Sequence, residues 1–248
     1  MTTVIVTRPP EDAASLIREL QTAGCRVLFA PMLEIRFREA EEAEIPEGPV
    51  QAVAITSANG ARALARLPAM ARLRAATAVV VGPASERAAR EAGFEHILRA
   101  ERGDVSGVIA TIRTRMDPSS GVILYASGAV TRGDLEGELA RAGFNVHRAV
   151  LYEAVPARAL SPEVRAHLRQ SRPGWVTLFS PRTARIWADA TRAEGLAQAA
   201  ARLDYACLSE NVRNALLEAM PSGVTGRIVT AATPDQSALL AALGLKEA

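Results

Sequence analysis

Cysteine, histidine and aromatic residues are all scarce in this chain of 248 residues, and each scarcity removes a class of function. Cysteine occurs twice, as Cys25 and Cys207, far apart and without a CxxC pair, so two buried thiols are expected rather than a disulfide or a metal clamp. His96, His147 and His167 are equally scattered, and no bound metal is expected. Aromatic residues make up 4%, little material for stacking bases, and the formal charge is only +2, so nucleic acid is not an expected partner. No apolar run approaches the ~18 residues of a membrane span, and none is expected to cross a bilayer. Met1 leads straight into Val4-Ile5-Val6 without a basic start or a small-residue cleavage site, which points to a cytoplasmic location.

Familiar catalytic loops are missing too. No GxGxxG follows a strand, no GxxxxGK[ST] occurs, and Gly82 stands without partner glycines, so a nucleotide site lacks its usual loop and no cofactor is expected. No serine sits in a GxSxG elbow and no His pairs with a carboxylate, which leaves covalent catalysis unsupported. The composition itself is that of a soluble globular protein, with 49% hydrophobic and 23% charged residues. Its 29 basic residues are nearly all Arg, whose planar pair of donors suits carboxylates.

Short apolar runs alternate with polar turns and helical patterns, the signature of parallel α/β sheets. Strands are expected at Thr3 to Thr7, Arg26 to Pro31, Ala52 to Thr56, Ala78 to Val81, His96 to Ala100, Val122 to Ala126, Asn145 to Ala149, Trp175 to Phe179, Asp204 to Leu208 and Arg227 to Thr230. Ten strands exceed one compact sheet, and their continuous apolar runs suit strands covered on both faces, so two sheets fit better. The chain also repeats itself. Leu16 and Leu135, Leu20 and Leu139, Gly24 and Gly143, and Val27 and Val146 share a spacing of 119 residues, and Glu19 with Glu138 and Glu34 with Glu153 keep it. Ser57, Ala61 and Arg62 lie 123 residues before Ser180, Ala184 and Arg185; Glu91 lies 127 before Glu218, and Asp104 131 before Asp235. Shared Ala-rich helix composition is the competing explanation, and the ordered drift of the spacing favours a true duplication.

Two stretches read as boundaries: residues 36–49, with the charged run Glu39 to Glu44 and then Pro46, Gly48 and Pro49, and Val155 to Pro162. The first piece is too small to fold alone and is expected to join the last. One lobe then comprises 1–35 together with 160–248, a second comprises 50–148, and connectors run at 36–49 and 149–159. A ligand site between two such lobes is the default expectation.

In open parallel sheets ligands meet the loops at the carboxyl ends of strands, where helix starts offer free N–H groups to an anion. The candidate ligand residues there are Thr7, Arg8 and Pro9; Ser57, Ala58, Asn59 and Gly60; Gly82 and Pro83; Ser127, Gly128 and Arg132; Ser180, Pro181 and Arg182; and Ser209 and Asn211. Any single one of these loops is explained equally by helix capping. Arg8, Arg132 and Arg182 are not required by capping and are ranked as carboxylate ligands, whereas Arg62 and Arg185, one turn into their helices, read as surface charges.

Several strings occur together in one order: Val6-Thr7-Arg8-Pro9, Ala30-Pro31-Met32-Leu33-Glu34-Ile35, Thr56-Ser57-Ala58-Asn59-Gly60, Val81-Gly82-Pro83, Val150-Leu151-Tyr152-Glu153 and Phe179-Ser180-Pro181. In that order the chain resembles the uroporphyrinogen-III synthases. It departs from a common pattern at Cys207-Leu208-Ser209-Glu210, where many relatives carry a Gly-rich loop, which puts the ligand role of that loop in doubt. The resemblance implies two similar parallel-sheet α/β lobes joined by a two-stranded antiparallel β-ladder. It implies a cofactor-free, cyclising hydro-lyase that dehydrates hydroxymethylbilane and inverts its terminal pyrrole ring to give uroporphyrinogen III. The expected partner is that small substrate, bound by a monomer, with transient contact to the preceding pathway enzyme. The resemblance also points to Tyr152 as proton donor, while packing at the hinge explains the same residue structurally. The competing reading of the whole chain is a non-catalytic two-lobed cytoplasmic binding protein for a small polyanion.

Overall fold

A computed structural model of the protein describes residues 1–39, 45–220 and 223–244. In chain order the elements are β1 (Thr3–Val6), α1 (Pro10–Thr22), β2 (Arg26–Phe29), β3 (Leu33–Phe37), β4 (Val50–Ile55), α2 (Ala58–Leu64), α3 (Met70–Leu73), β5 (Thr77–Val80), α4 (Pro83–Ala92), β6 (His96–Arg99) and α5 (Val105–Arg115). There follow β7 (Val122–Gly128), α6 (Leu135–Arg141), β8 (Val146–Pro156), α7 (Pro162–Arg169), β9 (Trp175–Leu178), α8 (Pro181–Ala193), α9 (Ala197–Ala201), β10 (Asp204–Cys207), α10 (Glu210–Ala219), β11 (Ile228–Thr230) and α11 (Gln236–Ala242). The fold is α/β. Of the charged run Glu39 to Glu44, everything beyond Glu39 lies outside the described residues.

The chain divides into two compact units, Met1–Glu34 with Val155–Ala248, and Ile35–Ala154. The first holds a parallel sheet in the order β2-β1-β9-β10-β11. In the second sheet β8-β7-β4-β5-β6 are parallel, and β3 lies beside β8 at its edge. Helices cover both faces of each sheet, which is why the strands read as continuous apolar runs. Alternate residues of one strand feed opposite cores: Val53 and Ile55 pack with α2 and α4, while Ala52 and Ala54 face Val108, Ile112, Leu135 and Leu139. Each Leu fully buried in this way contributes roughly 2 kcal/mol of transfer free energy.

Strand order explains the drifting sequence repeat. Matching β7 with β1, β8 with β2, β4 with β9, β5 with β10 and β6 with β11 turns one sheet order into the other. Each sheet therefore combines two strands from one repeat with three from the other. The paired residues keep equivalent places. Gly24 and Gly143 follow α1 and α6 with left-handed backbone at φ 74° and 89°. Asp104 and Asp235 cap α5 and α11, each accepting from a backbone N–H.

Two differences from the sequence reading concern the connectors. Leu33–Phe37, absent from the ten strands expected from the apolar runs, forms a strand that straddles the expected boundary between the first lobe and the 36–49 connector, so the described residues hold eleven strands. The expected strand Asn145 to Ala149 does not stop at Ala149 but continues through the second connector to Pro156, because Val150, Leu151 and Val155 keep the β-compatible pattern going. Both cysteines are buried free thiols, and burial pushes Cys207 up to about 12.

A pH-dependent weakness sits in the first unit. His167, in the last turn of α7, is buried, and that burial first, then the charges of Arg26 and Arg172, hold its pKa below the usual imidazole value. The backbone at Pro173 and Arg172 acts in the opposite sense without outweighing them. The unfolded chain therefore takes up this proton first as pH falls, so stability is complete above about pH 6.5 and is lost below it. Urea unfolding between pH 7 and 5 is expected to show a shallower loss for His167→Gln than for the parent, the difference bounded by the ~1.4 kcal/mol per pH unit that one proton carries. Parallel curves would remove His167 from the account.

Candidate functional site

At the carboxyl edge of the second sheet, the loops after β4, β5, β6 and β7 surround a pocket of about 670 Å³. Thr56, Ser57, Tyr125 and Tyr152 form its polar floor, Gly103–Ser106 one wall and Val130–Gly133 the other. Tyr125 is buried, and its hydroxyl lies 3.3 Å from Thr56 Oγ1. Ser57, the residue capping α2, accepts from the Asn59 N–H at 3.3 Å, and its hydroxyl faces the Tyr152 phenol across the pocket floor. Two hydroxyl pairs thus stand side by side on neighbouring strand ends.

Tyr152 reaches this position through an irregularity in the pairing of β7 with β8. Ser127 is opposite Val150, but Gly128 is opposite Tyr152, so Leu151 is an extra residue on β8. The Tyr152 ring then lies against Gly128, where a Cβ would come within 2.9 Å of it. Only glycine leaves room for the ring. Burial raises the pKa of the phenol, the nearby Ser57 hydroxyl lowers it, and the neighbouring Tyr125 raises it; the net direction is up. Tyr152 is therefore a neutral donor at neutral pH.

Charge in the pocket is sparse. Asp104 caps α5, accepting from Ser106 Oγ at 2.6 Å and Gly107 N–H at 2.8 Å, with Arg102 at 3.6 Å. Those bonds, the Ser106 hydroxyl first, hold its carboxyl below the usual range. Arg132 stands exposed among the lining residues. Among the described residues no group of three or more His, Cys, Asp or Glu side chains is placed to hold a metal ion, and no helix is long and apolar enough to cross a membrane.

Comparison with known proteins gives this geometry a family. A model of uroporphyrinogen-III synthase HemD matches residues 14–241. The chain belongs to the uroporphyrinogen-III synthase family. Uroporphyrinogen-III synthetase from Helicobacter pylori has the same fold at 15% identity, with TM-score 0.63, over 99% of this chain and 100% of that one. A mutant uroporphyrinogen III synthase from the extremely thermophilic bacterium Thermus thermophilus superposes at TM-score 0.53 and 15% identity, over 98% and 96% of the two chains. No curated protein sequence matches the chain. Nothing among these findings favours a non-catalytic receptor.

Within this member of the uroporphyrinogen-III synthase family, four of the candidate residues come together in the pocket: Ser57, Gly128, Arg132 and Tyr152. Others in the same unit are turned to internal work. Ser127 is buried, donating to the Ala149 carbonyl at 3.2 Å and accepting from Arg148 Nε at 3.1 Å. Ala58, Asn59 and Gly60 are buried in the first turn of α2; Asn59 Oδ1 accepts from Arg62 at 2.8 Å, and a Cβ on Gly60 would meet the Ala126 carbonyl oxygen at 2.7 Å. Gly82 precedes α4 with extended backbone and open space around it, and Pro83 is exposed.

The first unit carries the remaining candidates at its own strand ends. Thr7 is fully buried and donates to the Thr177 carbonyl at 2.6 Å, which leaves its side chain no free hydrogen. Arg8 stacks 4.4 Å from the Phe179 ring centre and donates to Gln236 at 3.2 Å, and Pro9 precedes α1. Ser180 accepts from Thr183 N–H at 3.1 Å as the cap of α8, whose first two residues are Pro181 and Arg182. Ser209 precedes α10 without a side-chain cap bond, and Asn211 is exposed in its first turn. Arg185, read as a surface charge, lies 3.6 Å from Glu218.

Sequence reading missed Tyr125 and the Asp104–Ser106 loop. Tyr125 lies inside a strand, where a search confined to loops does not look. Its signal was the one phenol in an otherwise apolar run, since a buried Tyr needs a hydrogen-bond partner. In the sequence Asp104 stands out only as the repeat partner of Asp235.

Proposed function

We propose that the pocket at the second sheet is where the chain dehydrates hydroxymethylbilane and closes it, with inversion of the terminal ring, to uroporphyrinogen III. The observation carrying this reading is the half-buried, neutral Tyr152 phenol beside Ser57 in a pocket of the family's fold. The phenol donates its proton to the departing hydroxyl, which leaves as water, and Ser57 supports the resulting phenolate. The azafulvene left behind is attacked by the substituted carbon of the last ring to give a spiro intermediate; that carbon's old bond to the neighbouring methylene then breaks, the freed methylene joins the ring's unsubstituted carbon, and loss of the proton from that carbon completes the macrocycle. Because the bilane closes unaided to the other isomer, holding the folded conformer is the main catalytic task.

Eight carboxylates on the substrate call for many dispersed donors. Arg132 and the helix-start N–H groups around Gly82 and Pro83 supply some in the second unit. The residues proposed to bind acid groups in the first unit are Thr7, Arg8, Pro9, Ser180, Pro181, Arg182, Ser209 and Asn211. Thr7, like Ser127, Ala58, Asn59 and Gly60, would act through its backbone or by shaping the loop.

The proposed organisation is one lobe of 1–35 with 160–248, another of 50–148, and connectors at 36–49 and 149–159 that include an antiparallel ladder of β3 with β8. Two hydrogen bonds support that ladder, Ala157 N–H to the Met32 carbonyl and Arg38 N–H to the Leu151 carbonyl, because numbers rise on one strand as they fall on the other. We further propose a cytoplasmic monomer in transient contact with the enzyme that makes the bilane.

The deciding assay supplies freshly generated hydroxymethylbilane and measures the ratio of type III to type I uroporphyrin after oxidation. Type III should predominate. A ratio equal to the protein-free control would overturn the proposal.

A further inference from the structure

Arg148 lies on β8, four residues before Tyr152, half-buried and outside the lining of the pocket. Its guanidinium is spent on the end of β7 and the residue after it. Nε donates to Ser127 Oγ at 3.1 Å, and Nη2 donates to the carbonyls of Gly128 at 3.1 Å and Ala129 at 3.2 Å. The register of β7 against β8 shifts between Ser127 and Gly128, and Ala129 is the residue that follows the strand. Ser127 hands the connection back to β8 through the Ala149 carbonyl, and the Ala129 N–H donates to the Tyr152 carbonyl at 2.8 Å. At the same point Leu151 turns its carbonyl to Arg38 N–H while its side chain enters the core.

A strand that gains an unmatched residue loses ladder bonds, and the freed carbonyls must find other donors. Gly128 and Ala129 find them in Arg148. A planar guanidinium can serve a hydroxyl and two carbonyls at fixed mutual angles, which the single ammonium of lysine cannot reproduce. The shift it stabilises sets Tyr152 opposite Gly128, with the ring over the glycine Cα and the hydroxyl at Ser57. The same carbonyls open the loop that continues as Val130–Gly133 along the pocket wall.

We propose that Arg148 is a positioning residue: its guanidinium pins the end of β7 at the register shift and thereby holds the Tyr152 phenol at its working place in the pocket. This rests on the reading of Tyr152 as proton donor. Arg148 itself touches no reacting atom.

The test is a kinetic cycle with hydroxymethylbilane, using Arg148→Lys and Arg148→Ala in the parent and in a Tyr152→Phe background. In the parent, kcat is expected to fall by about 10²-fold in Arg148→Ala and by at least about tenfold in Arg148→Lys, with KM changed less than about threefold. In the Tyr152→Phe background the same substitutions should cost no more than about twofold, since the group they position is gone. Arg148→Lys keeps the charge and the stem, so it answers the question even where Arg148→Ala fails to fold. Equal losses in both backgrounds, or a rise in KM alone, would assign Arg148 a merely structural part and overturn the inference. A slow Tyr152→Phe beside fully active Arg148 variants would overturn it while leaving the donor reading standing. Full activity of Tyr152→Phe would overturn both.

Discussion

Tyr152→Phe is expected to lower kcat for uroporphyrinogen III formation by roughly 10²-fold or more, the usual worth of a positioned general acid, and to change KM by less than about threefold. The substitution removes one hydroxyl and keeps the ring that lies against Gly128, so the shape of the pocket and the register of β7 with β8 survive. On the proposed reading of Tyr152 as donor, what is lost is a proton at the moment the hydroxyl departs. Because burial drives the phenol pKa upward, the parent enzyme keeps that proton throughout neutral pH, and no fall in kcat from ionisation of Tyr152 is expected between pH 6 and 8. Selection of the isomer belongs to the held conformer, so the little product formed by the Phe variant should still be type III. Steady-state rates with an isomer assay measure both quantities. A Phe variant with parental kcat would remove the donor from the mechanism, and one that gives type I would make Tyr152 a shaping residue.

How far such a site can be read from sequence depends on which physical signal each residue carries. The apolar runs of β1, β4, β7 and β9 announce themselves because both faces of each strand are covered, and the helix stops at Gly24 and Gly143 follow from a backbone conformation that other residues adopt with strain. The repeat was legible at single residues, yet its consequence, that each sheet joins two strands of one copy to three of the other, needed the strand order. Thr7 and Ser127 show the limit at the site. A hydroxyl beside a strand end has the same sequence signature whether it faces a ligand or closes an internal hydrogen bond, and here both close internal ones, to Thr177 and Ala149. The register shift that places Tyr152 is invisible in sequence, since Leu151 differs in no way from an ordinary strand residue. Arg148 is equally hidden, one Arg among many until its three acceptors are seen together.

Gly60→Ala is expected to destabilise the second unit by about 2 kcal/mol, whereas Gly82→Ala should stay within about 0.5 kcal/mol of the parent. Helix propensity alone predicts the opposite for Gly60, a gain of about 1 kcal/mol for alanine inside α2. Space decides against it. The new Cβ would stand 2.7 Å from the Ala126 carbonyl oxygen, on the strand at the middle of the sheet, paired with Ile55 on one side and Ala149 on the other. That oxygen cannot retreat without stretching two ladders, so α2 must move away from the sheet and loosen the contacts of Ala61 and Leu64 in the core. Gly82 meets nothing within 4 Å, and its backbone is extended, a conformation any residue adopts. An alanine there costs only the few tenths that separate it from glycine ahead of a helix. Thermal unfolding should register about 4–8 °C for Gly60→Ala and little for Gly82→Ala. The pair also separates packing from binding at two loops that look alike in sequence: a rise in KM confined to Gly82→Ala would place the substrate's acid groups at the start of α4. A Gly60→Ala protein as stable as the parent, but with a raised KM, would instead return Gly60 to the residues that face the ligand.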